Sequence, residues 1–128
     1  PIDIYNKPQN KFVANFIGES NIISGKMLKD CLVFFDDEKW ECVDKGFKEN
    51  ENVDIVLRPE DIHIVSKKKG TVSGEIISKV FRGVHYEYII KCEYRDYKVH
   101  TTQDLEVGKE VGLSIDPYDI QVMHSKEA

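Results

Sequence analysis

The sequence predicts an all-β fold with a short N-terminal helix, in which one small β unit is written twice. Three observations predict it. The stretch Leu57-Arg58-Pro59-Glu60-Asp61-Ile62-His63-Ile64-Val65 returns as Ile115-Asp116-Pro117-Tyr118-Asp119-Ile120-Gln121-Val122-Met123, placing Pro59 on Pro117, Asp61 on Asp119 and Ile62 on Ile120. Ile23-Ser24-Gly25 with Met27 and Leu28 returns as Val72-Ser73-Gly74 with Ile76 and Ile77. From Ile22 onward, short apolar runs alternate with turn residues and no helical period separates them. The second copy carries about nine more residues between its glycine and its proline, which predicts an elongated hairpin.

Residues 1–21 stand apart. Phe12, Val13, Phe16 and Ile17 fall on one face of a short helix, with Pro8 suited to its first turn and Gly18 to its stop. Asp3 to Asn6 predict another short helical turn. The apolar face has two readings: it caps this domain, or it covers a neighbouring domain. There is no initiator methionine, and the sequence reads as an excised piece.

The first repeat, about 22–66, predicts strands at 22–28, 31–35, 39–43, 53–57 and 62–65. Asp36-Asp37-Glu38 forms a hairpin turn and Gly46 to Asn52 a polar loop. The second, about 71–124, predicts strands at 72–81, 84–92, 97–102, 111–115 and 120–123. In 84–92, Val84, Tyr86, Tyr88, Ile90 and Cys92 share one face, opposite His85, Glu87, Ile89 and Lys91. Many short strands without intervening helices argue for a closed or nearly closed small barrel, OB-like in character. Lys67-Lys68-Lys69-Gly70 reads as a solvated linker.

At each corner a proline two residues past an apolar strand ends the ladder, because it has no N–H to donate. An acidic turn follows. Arg58-Pro59-Glu60-Asp61 is the densest polar motif: an ordinary charged corner on one reading, a rigid recognition corner on the other. The second copy places Asp116 and Tyr118 where the first has Arg58 and Glu60.

The chain has 128 residues and a formal charge of -5, which suits one domain and disfavours a nucleic-acid surface. Cys31, Cys42 and Cys92 lack CxxC spacing and read as free thiols in a reducing compartment. His63, His85, His100 and His124 lack metal-ligand spacing and read as strand-surface residues; no metal site is expected. No apolar run reaches the roughly 18 residues of a membrane helix. No phosphate-binding loop, GxSxG, HExxH or GxGxxG is present. Catalytic residues are therefore assigned to no position, and the expected cofactor count is none.

Asp3-Ile4-Tyr5-Asn6-Lys7-Pro8, Phe12-Val13-Ala14-Asn15-Phe16-Ile17-Gly18-Glu19-Ser20-Asn21 and Leu57-Arg58-Pro59-Glu60-Asp61 resemble the C-terminal third of the ATP-binding subunits of ABC importers. In that family the last motif marks the accessory TOBE domain, TOBE/MOP-like in fold. Phe81-Arg82-Gly83-Val84-His85-Tyr86-Glu87 and Asp116-Pro117-Tyr118-Asp119 look most like the spermidine/putrescine importers. The resemblance implies that 1–21 is a helical linker from an ATPase domain lying upstream, and 22–128 a TOBE regulatory domain. ATP and magnesium would be bound in that ATPase domain. The implied partners are the ATPase domain, a homodimer mate and membrane-spanning permease subunits, at the cytoplasmic side of the membrane, with no nucleic acid. Phe12, Val13, Phe16 and Ile17 would pack on the ATPase domain, and Arg58, Glu60 and Asp61 on the matched motif would carry a regulatory and dimer-stabilising role; Asp116 and Asp119, at the second corner, are further candidates for partner contact.

A weak polyamine site is a further expectation. Asp36, Asp37, Glu38 and Glu41 cluster at one hairpin, Glu60, Asp61, Asp116 and Asp119 at the corners, and Trp40 or Tyr118 could form a cation–π wall. Two alternatives remain: the same accessory domain of a sugar, iron or molybdate importer, and a free-standing OB module stacking nucleic-acid bases on Tyr86, Tyr88, Tyr94 and Tyr97.

Overall fold

The structure is a computed structural model that describes residues 20–125. The expected helical linker, with Phe12, Val13, Phe16 and Ile17, lies outside the described residues. Among the described residues there are ten strands: β1 (Asn21–Lys29), β2 (Leu32–Phe35), β3 (Glu38–Glu41), β4 (Glu51–Leu57), β5 (Ile62–Val65), β6 (Val72–Phe81), β7 (Tyr86–Cys92), β8 (Asp96–Thr101), β9 (Glu110–Ile115) and β10 (Gln121–His124). Three single 3-10 turns, at Pro59–Asp61, Lys67–Lys69 and Pro117–Asp119, are the only helical elements among the described residues. Each strand coincides with one expected from alternation, because a two-residue period needs only one buried face to be read.

The strands form two five-stranded antiparallel sheets, ordered β10-β4-β1-β2-β3 and β5-β9-β6-β7-β8. Replacing each strand of the first repeat by its counterpart in the second converts one order into the other, with β5 and β10 exchanged. The chain accordingly divides into two compact units, 1–58 with 116–128, and 59–115. The repeats and the compact units are therefore not the same residues. Each unit takes its fifth strand from the other repeat, and the two proline corners are where the chain crosses over.

In the first unit, Ile23, Met27, Val33, Phe35, Ile55 and Leu57 are buried to within 1%. The β2–β3 connection is a two-residue turn with positive φ at both Asp36 (53°) and Asp37 (61°), the geometry whose twist matches a hairpin. Trp40, the one buried residue of β3, stacks on Phe35 with centroids 4.6 Å apart and planes 5° off parallel. Its indole N–H donates to the Phe35 carbonyl at 3.1 Å. Asp44, also buried, accepts the Val122 N–H at 3.0 Å and so occupies a β10 donor that the edge of the sheet leaves unpaired.

In the second unit, Ile76, Tyr88, Ile90, Tyr97, Val99 and Leu113 are equally buried. The Tyr88 hydroxyl donates to the Gln103 carbonyl at 2.6 Å and accepts the Leu105 N–H at 2.7 Å, tying the 103–105 segment to β7. The linker at Lys67–Lys69 is exposed as expected, yet it is tied down. Gly70 lies so close to Gly112 on β9 that a Cβ on either would strike the other's backbone.

Register exposes the repeat in detail. Gly25 pairs with Val53 and Gly74 with Val111. β1 and β6 each shift register two residues past that glycine, after Met27 and after Ile76. Lys26 faces Phe34 across eight residues, whereas Glu75 faces Lys91 across sixteen. Eight of the second copy's extra residues therefore lie in the β6–β7 hairpin, as the spacing predicts.

Candidate functional site

The two corners have the same build. Pro59–Asp61 and Pro117–Asp119 are single 3-10 turns; in the second, the Asp119 N–H donates to the Asp116 carbonyl at 2.9 Å. Pro59 is buried, Glu60 exposed, and Arg58 and Asp61 half-buried; Asp116 and Tyr118 are exposed and Asp119 half-buried. The crossover of the chain explains the prolines without any ligand. The charged side chains around them are the part a partner can reach.

At the acidic hairpin, Asp37 and Glu38 are exposed and Asp36 half-buried. Trp40 requires a correction. At 3% exposure, with its face covered by Phe35 and its N–H bonded, it offers no surface to a cation. Among the candidate walls Tyr118, 82% exposed, is the aromatic open to solvent. The tyrosines weighed as base-stacking platforms divide similarly: Tyr88 and Tyr97 are buried, Tyr86 is half-buried and Tyr94 is exposed.

The second unit holds a recess of about 460 Å³ beside the first corner. Ile62 and Ile64 contribute its apolar wall, and Glu60, His63, His100, Thr101, Gln103 and Ser114 its polar wall. His100 connects the recess to a polar network. Its Nε2 lies 3.2 Å from Glu87 Oε1, while the Arg82 guanidinium donates to Glu87 Oε2 at 3.1 Å. A carboxylate oxygen only accepts, so the neutral His100 ring carries its proton on Nε2. The His85 ring packs on that of His100 at 4.5 Å. Glu87, 8% exposed, thus has a donor for each oxygen, and the Arg82 guanidinium first, then His100, holds its carboxyl below the usual carboxylate range.

This arrangement suits binding of a small polar or cationic ligand at Glu60 and the hydroxyl and amide groups, with His100 held in one orientation by Glu87. Among the described residues, no group of three or more His, Cys, Asp or Glu side chains is placed to hold a metal ion. Alternation had put Glu87 on the face away from Tyr88. It could not show that β8 brings His100 opposite it, since that pairing depends on the register of another strand. Of the histidines read as strand-surface residues, His63 and His124 are exposed, whereas His85 and His100 are half-buried.

Replacing Glu87 by Gln is expected to cost about 1 kcal/mol at pH 7, under the roughly 1.5–3 kcal/mol of hydrogen bonds to charged groups because Arg82 is half-exposed. The folded carboxyl titrates lower than the unfolded one, so its stabilisation is complete above the unfolded pKa and lost as pH falls through the folded value. The difference between wild type and Glu87→Gln in urea melts should therefore be widest near neutrality and close below pH ~4. A constant difference across that range counts against the network.

A doubly repeated β unit with exchanged fifth strands and a polar recess beside its first corner defines a small repeat-built β module. The chain belongs to the TOBE domain family, whose model matches residues 55–123. It is 55% identical over 127 residues to the spermidine/putrescine import ATP-binding protein PotA of Clostridium acetobutylicum, covering 99% of this chain and 36% of that protein. It is likewise 55% identical to the protein of that name from Desulfitobacterium hafniense, over 96% of this chain and 35% of the relative. The Clostridioides difficile protein of that name is 49% identical over 98% and 36%. The chain spans about a third of the length of the curated relatives it matches. Among solved structures, the cytoplasmic molybdate-binding protein ModG superposes with a TM-score of 0.68 over 80% of this chain and 94% of its own, at 11% identity. That is a likeness of fold. No helix among the described residues is long and apolar enough to cross a membrane.

Proposed function

We propose that this chain is the C-terminal regulatory and dimer-stabilising part of the ATP-binding subunit of an ABC importer that takes up spermidine and putrescine. The observation that carries the reading is the 55% identity, across 99% of the chain, to a spermidine/putrescine import ATP-binding protein of which it covers 36%. The likeness to ModG, at 11% identity, gives a molybdate importer much less support. The remaining part of the protein would bind ATP and magnesium, since the sequence here has no phosphate-binding loop. Its partners would be that ATPase domain, a homodimer mate and the permease subunits, at the cytoplasmic face of the membrane.

Disrupting the intact gene and measuring uptake of labelled spermidine, maltose and molybdate tests the substrate. Loss of spermidine uptake alone is expected; normal spermidine uptake with loss of another substrate overturns the reading. Feedback by the imported cation is part of the same proposal, with Glu60 and Asp61 at the first corner, Asp116, Asp119 and Tyr118 at the second, or Asp36, Asp37 and Glu38 at the hairpin as its contacts. Spermidine titrated into the labelled chain at fixed ionic strength should shift amides at one of these acidic sites, and Glu60→Gln with Asp61→Asn or neutralised Asp36 and Asp37 should abolish the shifts. Diffuse shifts that magnesium reproduces would indicate charge screening and end the idea.

A further inference from the structure

Cys31 and Cys42 stand opposite one another at the open end of the β2–β3 hairpin. The hairpin pairs Phe35 with Glu38, Phe34 with Lys39, Val33 with Trp40 and Leu32 with Glu41. One step further along the same register falls on Cys31 and Cys42, where one ladder bond remains: the Cys42 N–H donates to the Cys31 carbonyl at 3.1 Å, while the Cys31 N–H donates to the Asp44 carbonyl at 3.0 Å. Cys42 continues the face that buries Val33 and Trp40, and the Cys31 thiol lies near enough to act on it electrostatically. Residues facing each other across antiparallel strands have Cα atoms roughly 4.5–5.5 Å apart, inside the roughly 4.4–6.8 Å that a disulfide spans. The two differ in access. Cys31 is half-buried and sits at the β1–β2 turn with φ 65°, whereas Cys42 is buried.

We infer that Cys31 and Cys42 are a reversible thiol–disulfide site that closes the β2–β3 hairpin when glutathione disulfide accumulates. In the first step the Cys31 thiolate, its proton released to solvent, attacks one sulfur of glutathione disulfide. The glutathione S–S bond breaks, and one glutathione thiolate leaves. In the second, Cys42 loses its proton to solvent and attacks the Cys31 sulfur, expelling the other glutathione thiolate. Two protein thiols are oxidised and one glutathione disulfide is reduced to two thiols. Reduced glutathione runs the sequence backwards, so the thiol form prevails in a reducing compartment. Burial pushes the Cys42 thiol up to about 11, partly offset by a hydrogen bond with the Asp44 backbone, so closure is the slow step and quickens with pH. The bond would fasten β3, an edge strand of four residues, to β2 at the end away from its turn.

The test treats the folded 128-residue chain with glutathione disulfide, quenches with acid, and maps thiols by non-reducing peptide mass analysis. The expected product is a monomer with Cys31 joined to Cys42 and Cys92 not joined to either. The mixed disulfide on Cys31 should build up first at neutral pH and convert roughly tenfold faster per pH unit below the Cys42 pKa. Cys42→Ser should stop at the Cys31 adduct, and hydrogen exchange of the β3 amides should slow in the closed wild-type form. A Cys31 adduct that never closes even at alkaline pH, a link to Cys92, or closure only in denaturant overturns the inference. The mapping on the wild-type chain decides this even if the serine variant folds poorly.

Discussion

Trp40→Ala is expected to lower the unfolding free energy by about 3–5 kcal/mol, the usual cost of truncating a buried tryptophan. β3 has four residues and one of them is buried, so this side chain is what fastens the strand to the core. Truncation removes the stack on Phe35, leaves a cavity beside the fully buried Val33, and deprives the Phe35 carbonyl of its indole donor. The carbonyl belongs to the residue that closes the hairpin, so the turn at Asp36 and Asp37 loosens with it. Trp40→Phe keeps a ring for the stack and loses only the N–H and part of the volume, and its cost should be less than half as large. Urea denaturation followed by circular dichroism measures both, since the chain has one tryptophan and the variants lack its fluorescence. A loss under about 1 kcal/mol for Trp40→Ala would mean that the indole is not a core anchor, and would reopen it as a ligand-facing side chain.

Gly25→Ala and Gly74→Ala are each expected to cost about 1–3 kcal/mol by overpacking. A Cβ at Gly25 would run into the Phe34 carbonyl oxygen, and one at Gly74 into the Lys91 carbonyl oxygen. These obstacles are backbone atoms of the neighbouring strand, held by the ladder, and cannot turn aside as a flexible side chain would. The strands could separate only by giving up the pairing that precedes the register shifts after Met27 and Ile76. The two glycines lie in different compact units and share no partner, so the double variant should show close to the sum of the single penalties. Chemical denaturation of the three variants checks this. If only one substitution is costly, the repeats are not equivalent at the residue that most clearly marks them.

These outcomes also separate what could be read locally from what could not. Alternation located all ten strands, with Val72–Phe81 bounded as expected. Pro59 and Pro117 marked both corners, and Gly25 and Gly74 marked the matching positions of two copies. Each of those signals acts within a few residues: a pleat has one inward face, a proline lacks a donor, and a glycine lacks a Cβ. Trp40 misled because it lies between Lys39 and Glu41 beside an acidic turn, where composition describes a solvated surface. Which face of β3 meets the core is set by its pairing with β2. The exchange of β5 and β10 left no local trace, since either strand is equally apolar wherever it pairs. Glu87 and His100 are thirteen residues apart and meet through the β7–β8 register, and Asp44 reaches Val122 across most of the chain. Side-chain periodicity declares which residues face inward; which strand lies alongside is a matter of hydrogen-bond register over long sequence separations, and a carboxylate acquires its donors only when that register is set.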